Sequence, residues 1–157
     1  MRQKYIPSIT TALCFIIGVS PLFADNSIVT EKEDYFGRKK SVVKNCSGRK
    51  TSEIITEKPD YFGRQKSVIK DNFGRIIGTA ETSKPDYFGR MRTVYKDKKG
   101  RVVGSAETQK PDYYGRRTTI FKDKNGRTTG KAQTSKPDYY GRKKTKVRGT
   151  SPIDGLK

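Results

Sequence analysis

The sequence contains no histidine and no tryptophan, and it is poor in apolar residues. Without histidine the chain lacks both the usual general base near neutral pH and the commonest metal ligand. Hydrophobic residues make up 31% of its 157 residues, against about 45–50% in an ordinary globular domain. A large core is therefore excluded. Acids are scarce as well: 16 Asp plus Glu stand against 35 Lys plus Arg, a formal net charge of +19. A field of one sign favours anionic partners. Cysteine is limited to Cys14 and Cys46. The aromatic content of 10% and the frequent Val and Ile nevertheless argue against a wholly disordered chain.

Residues 1–24, MRQKYIPSITTALCFIIGVSPLFA, have the layout of a secretory signal peptide. Arg2 and Lys4 precede an apolar run from Ala12 to Val19, and Leu22-Phe23-Ala24 ends on a small residue. The run is well short of the ~20 residues that span a bilayer. Cleavage after Ala24 is expected, giving an exported protein without a transmembrane span: periplasmic, displayed on the cell surface or secreted. Cys46 is then the single thiol, without an internal partner, and the sequence assigns it no role.

A 26-residue repeat dominates what remains. DYFGR stands at 34–38, 60–64 and 86–90, and DYYGR at 112–116 and 138–142. Between them lie KNCSGR (44–49), KDNFGR (70–75), KDKKGR (96–101) and KDKNGR (122–127). Units start at 34, 60, 86, 112 and 138, and the array runs over 34–148, its last unit stopping after Arg148. SIVTEKED at 27–34 resembles EIITEKPD at 53–60, so 25–33 reads as a partial N-terminal repeat. Residues 149–157 leave the pattern as a C-terminal tail.

The segments 71–74, 97–100 and 123–126 are Asp-x-x-Gly, suited to a type I turn closed by a left-handed glycine. Pro59, Pro85, Pro111 and Pro137 end the preceding strands, because proline cannot donate to a ladder. Strand segments alternate with period two: Met91, Thr93 and Tyr95 share one face, and Arg90, Arg92, Val94 and Lys96 the other. On the partner segment Val102, Gly104, Ala106 and Thr108 are expected on one face. Gly78, Gly104 and Gly130 weaken strands unless something uses their space. Tyr95 and Phe121, or the turn aromatics, are candidates to cover them. No segment shows helical periodicity. The expected fold is all-β, tandem 26-residue β-hairpin repeats forming a meandering sheet or a β-solenoid, stabilised by stacking of neighbours.

Tyr95-Lys96-Asp97-Lys98-Lys99-Gly100-Arg101 and Phe121-Lys122-Asp123-Lys124-Asn125-Gly126-Arg127 resemble the Tyr-Asp-x-x-Gly-Arg signature of bacterial YD repeats of the Rhs type. Those repeats form the β-strands of large shells around toxins. The resemblance covers half of each unit and implies a β-hairpin, without implying a function.

No catalytic, cofactor-binding or metal-binding residue is assigned. A catalytic site is a single constellation, whereas Asp60, Asp86 and Asp112 recur in equal contexts. The expectation is a binding protein, not an enzyme, without a cofactor. Alternation places Arg64, Lys66 and Lys70, then Arg90, Arg92 and Lys96, then Arg116 and Lys122, then Arg142, Lys144, Lys146 and Arg148 on a common cationic face. Beside it runs an aromatic ladder: Tyr61 and Phe62, Tyr87 and Phe88, Tyr113 and Tyr114, Tyr139 and Tyr140. Its rings serve either as stacking platforms or as packing between units. The expected partner is an anionic polymer or acidic surface, such as lipopolysaccharide, an acidic glycan or an acidic protein. The alternatives are nucleic acid and a purely structural repeat protein. The sequence leaves the oligomeric state open.

Overall fold

The computed structural model describes residues 26–156; the expected signal peptide and its cleavage point lie outside the described residues. One kind of turn sets the architecture. At 60–64 the Asp60 N–H donates to the Arg64 carbonyl (2.8 Å) and the Gly63 N–H to the Asp60 carbonyl (2.9 Å). Asp60 Oδ1 accepts from the N–H groups of Phe62 and Arg64, and Oδ2 accepts from Arg64 Nε at 3.0 Å. Gly63 has φ 76°, where a β-carbon would be strained. The turn at 71–75 makes the same set of bonds around Asp71, Gly74 and Arg75. The two turn blocks that differ in sequence are thus one device, Asp-x-x-Gly-Arg, used at both ends of the strands.

The strands are β1 (Asn26–Thr30), β2 (Lys39–Lys44), β3 (Lys50–Thr56), β4 (Gln65–Asp71), β5 (Ile76–Thr82), β6 (Met91–Asp97), β7 (Val102–Thr108), β8 (Arg117–Asp123), β9 (Thr128–Thr134) and β10 (Lys143–Gly149). Each is antiparallel to its sequence neighbours, and β1 also pairs with β10, so the sheet closes into a barrel. The all-β, antiparallel reading holds. The strands follow one another as in a meandering sheet, but the sheet is closed, which neither the expected meander nor the expected solenoid included, and the closure comes from the two partial repeats. β1 occupies the place of β3, β5, β7 and β9, and it meets β10 in the register those strands use: Ile28 lies opposite Thr145 as Ala80 lies opposite Ser67, and Asn26 opposite Val147 as Gly78 opposite Ile69. The N-terminal half-unit completes the C-terminal one.

Inward positions form three layers. At one end the turns containing the aromatic pairs make a crown. Beneath it five cross-strand hydroxyl pairs circle the wall: Thr30–Ser41, Thr56–Ser67, Thr82–Thr93, Thr108–Thr119 and Thr134–Thr145, each at 2.8–2.9 Å. In the layer farthest from the crown a larger residue faces a smaller one: Ile69 faces Gly78, Tyr95 faces Gly104 and Phe121 faces Gly130. The expected aromatic cover of Gly104 and Gly130 is present. Val102 departs from expectation. The ladder slips between Tyr95 and Lys96, so Val102 turns outward, 50% exposed, and Val103 packs on the core instead.

The tail makes up for the meagre core. Pro152–Gly155 form a short 3-10 helix capped by Ser151 and Asp154, and they close the end opposite the crown. Ile153 and Leu156 join Ile69 and Ala80 in one buried cluster. The strand glycines leave the room: a β-carbon on Gly78 would lie 2.9 Å from Leu156 Cδ1, and one on Gly104 would lie 2.6 Å from the Lys122 carbonyl oxygen and 3.1 Å from Pro152.

Gly104→Ala should therefore destabilise the protein by about 1–3 kcal/mol, the usual range for overpacking, measured as a shift in denaturant midpoint. A neutral substitution would mean that the tail does not seat there. Removal of residues 26–33 should unpair both β2 and β10. Exposed edges of this kind associate, so light scattering should show species larger than the parent protein, and a synthetic peptide of residues 26–33 added in trans should restore the parent's size.

Candidate anion-binding surface

Arg64, Arg90, Arg116 and Arg142 all lie in crown turns. Each Nε bonds the aspartate four residues earlier, at 2.9–3.0 Å. Each guanidinium also sits over the second ring of its own turn, 5.3 Å from the Phe62 centroid and 5.0 Å from that of Tyr140. In every turn the two rings meet edge to face, with Tyr61 and Phe62 at 5.6 Å and 87°. The second ring and the Asp carboxylate thus hold the arginine from two sides. The first ring projects away: Tyr61 is 98% exposed, and Tyr87, Tyr113 and Tyr139 are each 97% exposed. Within each turn the two rings pack on each other, and the loop of the next unit lies alongside, Ser83 and Lys84 beside Tyr61 and Phe62. Closure bends the expected ladder into a ring of five, to which Tyr35 and Phe36 add the fifth pair.

Lys66, Arg92 and Lys144, like Lys70, Lys96, Lys122 and Lys146, point outward from even-numbered strands, as alternation requires. Their surroundings differ around the barrel. Lys96 pairs with Glu81 at 3.1 Å, Lys122 pairs with Glu107 at 3.3 Å, and Glu53 serves Lys40 and Lys50. At the repeat position of Glu81 and Glu107, β9 carries Gln133. Directly across strands, Glu53 faces Lys70, Thr79 faces Lys96 and Ser105 faces Lys122. On β9 and β10 the same position sets Lys131 against Arg148. Lys146 stands where the other even strands carry Val42, Val68, Val94 and Ile120. Like charges directly opposite destabilise a sheet. Yet Lys131, Lys144, Lys146 and Arg148 form no salt bridge among the described residues. A shallow depression of about 210 Å³ lies between them, lined by Thr118, Lys131, Gln133, Lys146 and Arg148.

No protein-family model, curated protein or solved structure matches this chain. Its chemistry must be read from the geometry alone. Alternation identifies outward cations on the even strands, but the acids that neutralise them come from the neighbouring strands. The repeat shows that β9 carries Gln133 in place of such an acid, and the register shows which cations are left opposed. Lys131 is the residue that sequence reasoning passes over. Its signal is the departure from Glu53, Thr79 and Ser105 at one repeat position. No helix among the described residues is long and apolar enough to cross a membrane. The outer wall carries rows of Lys, Arg and Glu, whereas a barrel embedded in lipid presents an apolar band.

The turn carboxylates carry a pH dependence. Backbone N–H bonds from Arg38, Arg64, Arg90 and Arg116, with smaller help from their guanidinium groups, hold Asp34, Asp60, Asp86 and Asp112 below the usual aspartate range. The folded state thus favours the ionised form. Its contribution is fully present above the unfolded aspartate pKa of about 3.9 and is lost as pH falls through the lowered folded values. Thermal melts should show a constant midpoint from pH 7 to 5 and a steep fall below about pH 4. A midpoint that is flat down to pH 2 would mean that the turns hold without their carboxylates.

Proposed function

We propose that this is an exported basic protein that binds an anionic polymer or surface through the outer wall of β9 and β10. Lipopolysaccharide, an acidic glycan or an acidic protein would each supply the charge. The unit of construction is the 26-residue hairpin, and at this cross-strand position Ser27–Lys44, Glu53–Lys70, Thr79–Lys96 and Ser105–Lys122 each hold one cation while Lys131–Arg148 holds two. The observation that carries the reading is the opposed pair Lys131 and Arg148 beside Lys146. It is unfavourable for the sheet, no carboxylate relieves it among the described residues, and an anion bound across it would relieve it. The role is binding and not catalysis, because the repeated carboxylates are occupied in turns.

Chromatography on immobilised heparin and lipopolysaccharide tests this. Replacing Lys131, Lys144, Lys146 and Arg148 by Gln should move elution to distinctly lower salt and flatten the salt dependence. Replacing Lys66, Lys70, Arg92 and Lys98 by Gln removes the same formal charge and should do much less. Equal losses would leave net charge as the only determinant. A nucleic-acid reading draws support from the tyrosine that projects from each of the five crown turns beside a cation, since stacking on aromatics serves single strands. On immobilised single-stranded DNA, Tyr61→Ala, Tyr87→Ala and Tyr113→Ala together would then weaken retention more than the β9–β10 changes do.

A further inference from the structure

Ten strands enclose more space than their side chains fill. The plug of Ile153 and Leu156 seals one end, and a cavity of about 300 Å³ remains between it and the crown. That is at the small end of the range for ligand pockets, roughly 300–1,000 Å³. Its floor is apolar, with Tyr95, Phe121 and Ile153, and its collar is the ring of hydroxyl pairs. Ala80, Ala106 and Ala132 line it where the same repeat position carries Ile28 and Ile54. Three consecutive units thus leave out the side chain that would fill the space.

Above the collar one more inward position remains on each even strand. Gln65 lies opposite Thr82, Met91 opposite Thr108, Lys39 opposite Thr56, Arg117 opposite Thr134 and Lys143 opposite Thr30. Directly opposed residues share a face, so these five ring the mouth, charged toward β8, β10 and β2 and neutral toward β4 and β6. Glu33 takes Lys39, at 2.7 Å. Arg117 and Lys143 have no ion-pair partner among the described residues. Lys143 is held below its ordinary pKa by partial burial, then by the charges of Lys39 and Arg117. The mouth therefore concentrates positive charge above an apolar floor.

We propose that the lumen is a binding site for a small organic carboxylate with a short apolar body, its carboxylate held by Arg117 and Lys143 and its body between Ala106, Tyr95 and Phe121. The guanidinium of Arg117 matches a carboxylate as a two-bond fork. Glu33 at the same rim disfavours a second negative charge. Burial raises the Tyr95 hydroxyl to about 12, so it stays a neutral donor and does not repel the ligand. This site is separate from the outer wall and does not rest on it.

The test uses the mature protein with methyl-labelled alanine and isoleucine, titrated with octanoate, with 1-octanol and with inorganic phosphate. Octanoate should shift the methyl signals of Ala80, Ala106, Ala132 and Ile153 together. Octanol should bind at least tenfold more weakly, and phosphate should leave these signals in place. Arg117→Gln with Lys143→Gln should weaken octanoate at least tenfold while leaving octanol unchanged, and the Gln substitutions on β9 and β10 should leave octanoate unchanged. Equal binding of octanoate and octanol would overturn the proposal, as would octanoate shifts absent from these methyls. Should the rim variant fold poorly, the comparison of octanoate with octanol on the parent protein decides alone.

Discussion

The pairing of β1 with β10 is the constraint on which the rest of the structure depends. A hairpin of 26 residues with so few apolar side chains cannot bury them alone, and a row of such hairpins would still end in two unpaired edges. Five facing pairs between residues 26–30 and 143–147 remove both edges at once. They also fix which side of every strand is inside. A shift of one residue in this seam would turn Ile28, Thr145 and Val147 outward. The hydroxyl pair Thr30–Ser41 on one side of β1 repeats the pairs found throughout the barrel. The seam is therefore indistinguishable in kind from the interior of the chain.

The turn is the second economy of the fold. Asp-x-x-Gly-Arg satisfies its own backbone and neutralises its own arginine, so much of the positive charge is committed locally. The same chemistry accounts for the likeness to YD repeats, because any tight hairpin closed by a left-handed glycine gains from an aspartate three residues earlier. It also redistributes the electrostatics. The crown arginines contribute a ring of internal Asp–Arg pairs, whereas on β9 and β10 two cations, Lys131 and Arg148, stand directly opposite each other and Gln133 takes the place of Glu81 and Glu107.

Much of this was legible in the residues. Period two places Thr93 and Tyr95 on one face and Arg92 and Lys96 on the other, as found, because alternation depends only on the pleat. The need to fill the space over Gly104 and Gly130 was legible too, since a glycine in a strand interior has a cost that something must offset. What fills it was only half legible. Tyr95 and Phe121 lie within the repeat, whereas Pro152 and Leu156 come from a tail that shares no pattern with it. Closure was not legible, although both halves of the seam were in view. A partial repeat at each terminus reads as truncation until one asks whether the two halves complete each other. The Lys131–Arg148 opposition was hidden for another reason: it joins strands 17 residues apart through a register that pattern alone does not supply.

The lumen follows from the same arithmetic of strands. A barrel of eight strands is just wide enough for its own side chains to fill, and each added hairpin widens it. With ten strands, bulky and small residues alternating in one layer can close only that layer, and the tail must complete it. Below the mouth the residues lining the hollow are mostly Ala, Ser and Thr. These keep the backbone close to whatever occupies the middle and offer hydroxyls already paired across strands, so the wall asks nothing further of water. Had stability alone shaped those layers, the isoleucines of Ile28 and Ile54 show that the position accepts a larger side chain. Their replacement by Ala80, Ala106 and Ala132 leaves the hollow on one side, under Met91 and Arg117, where an apolar body and its charge would each meet a matching wall.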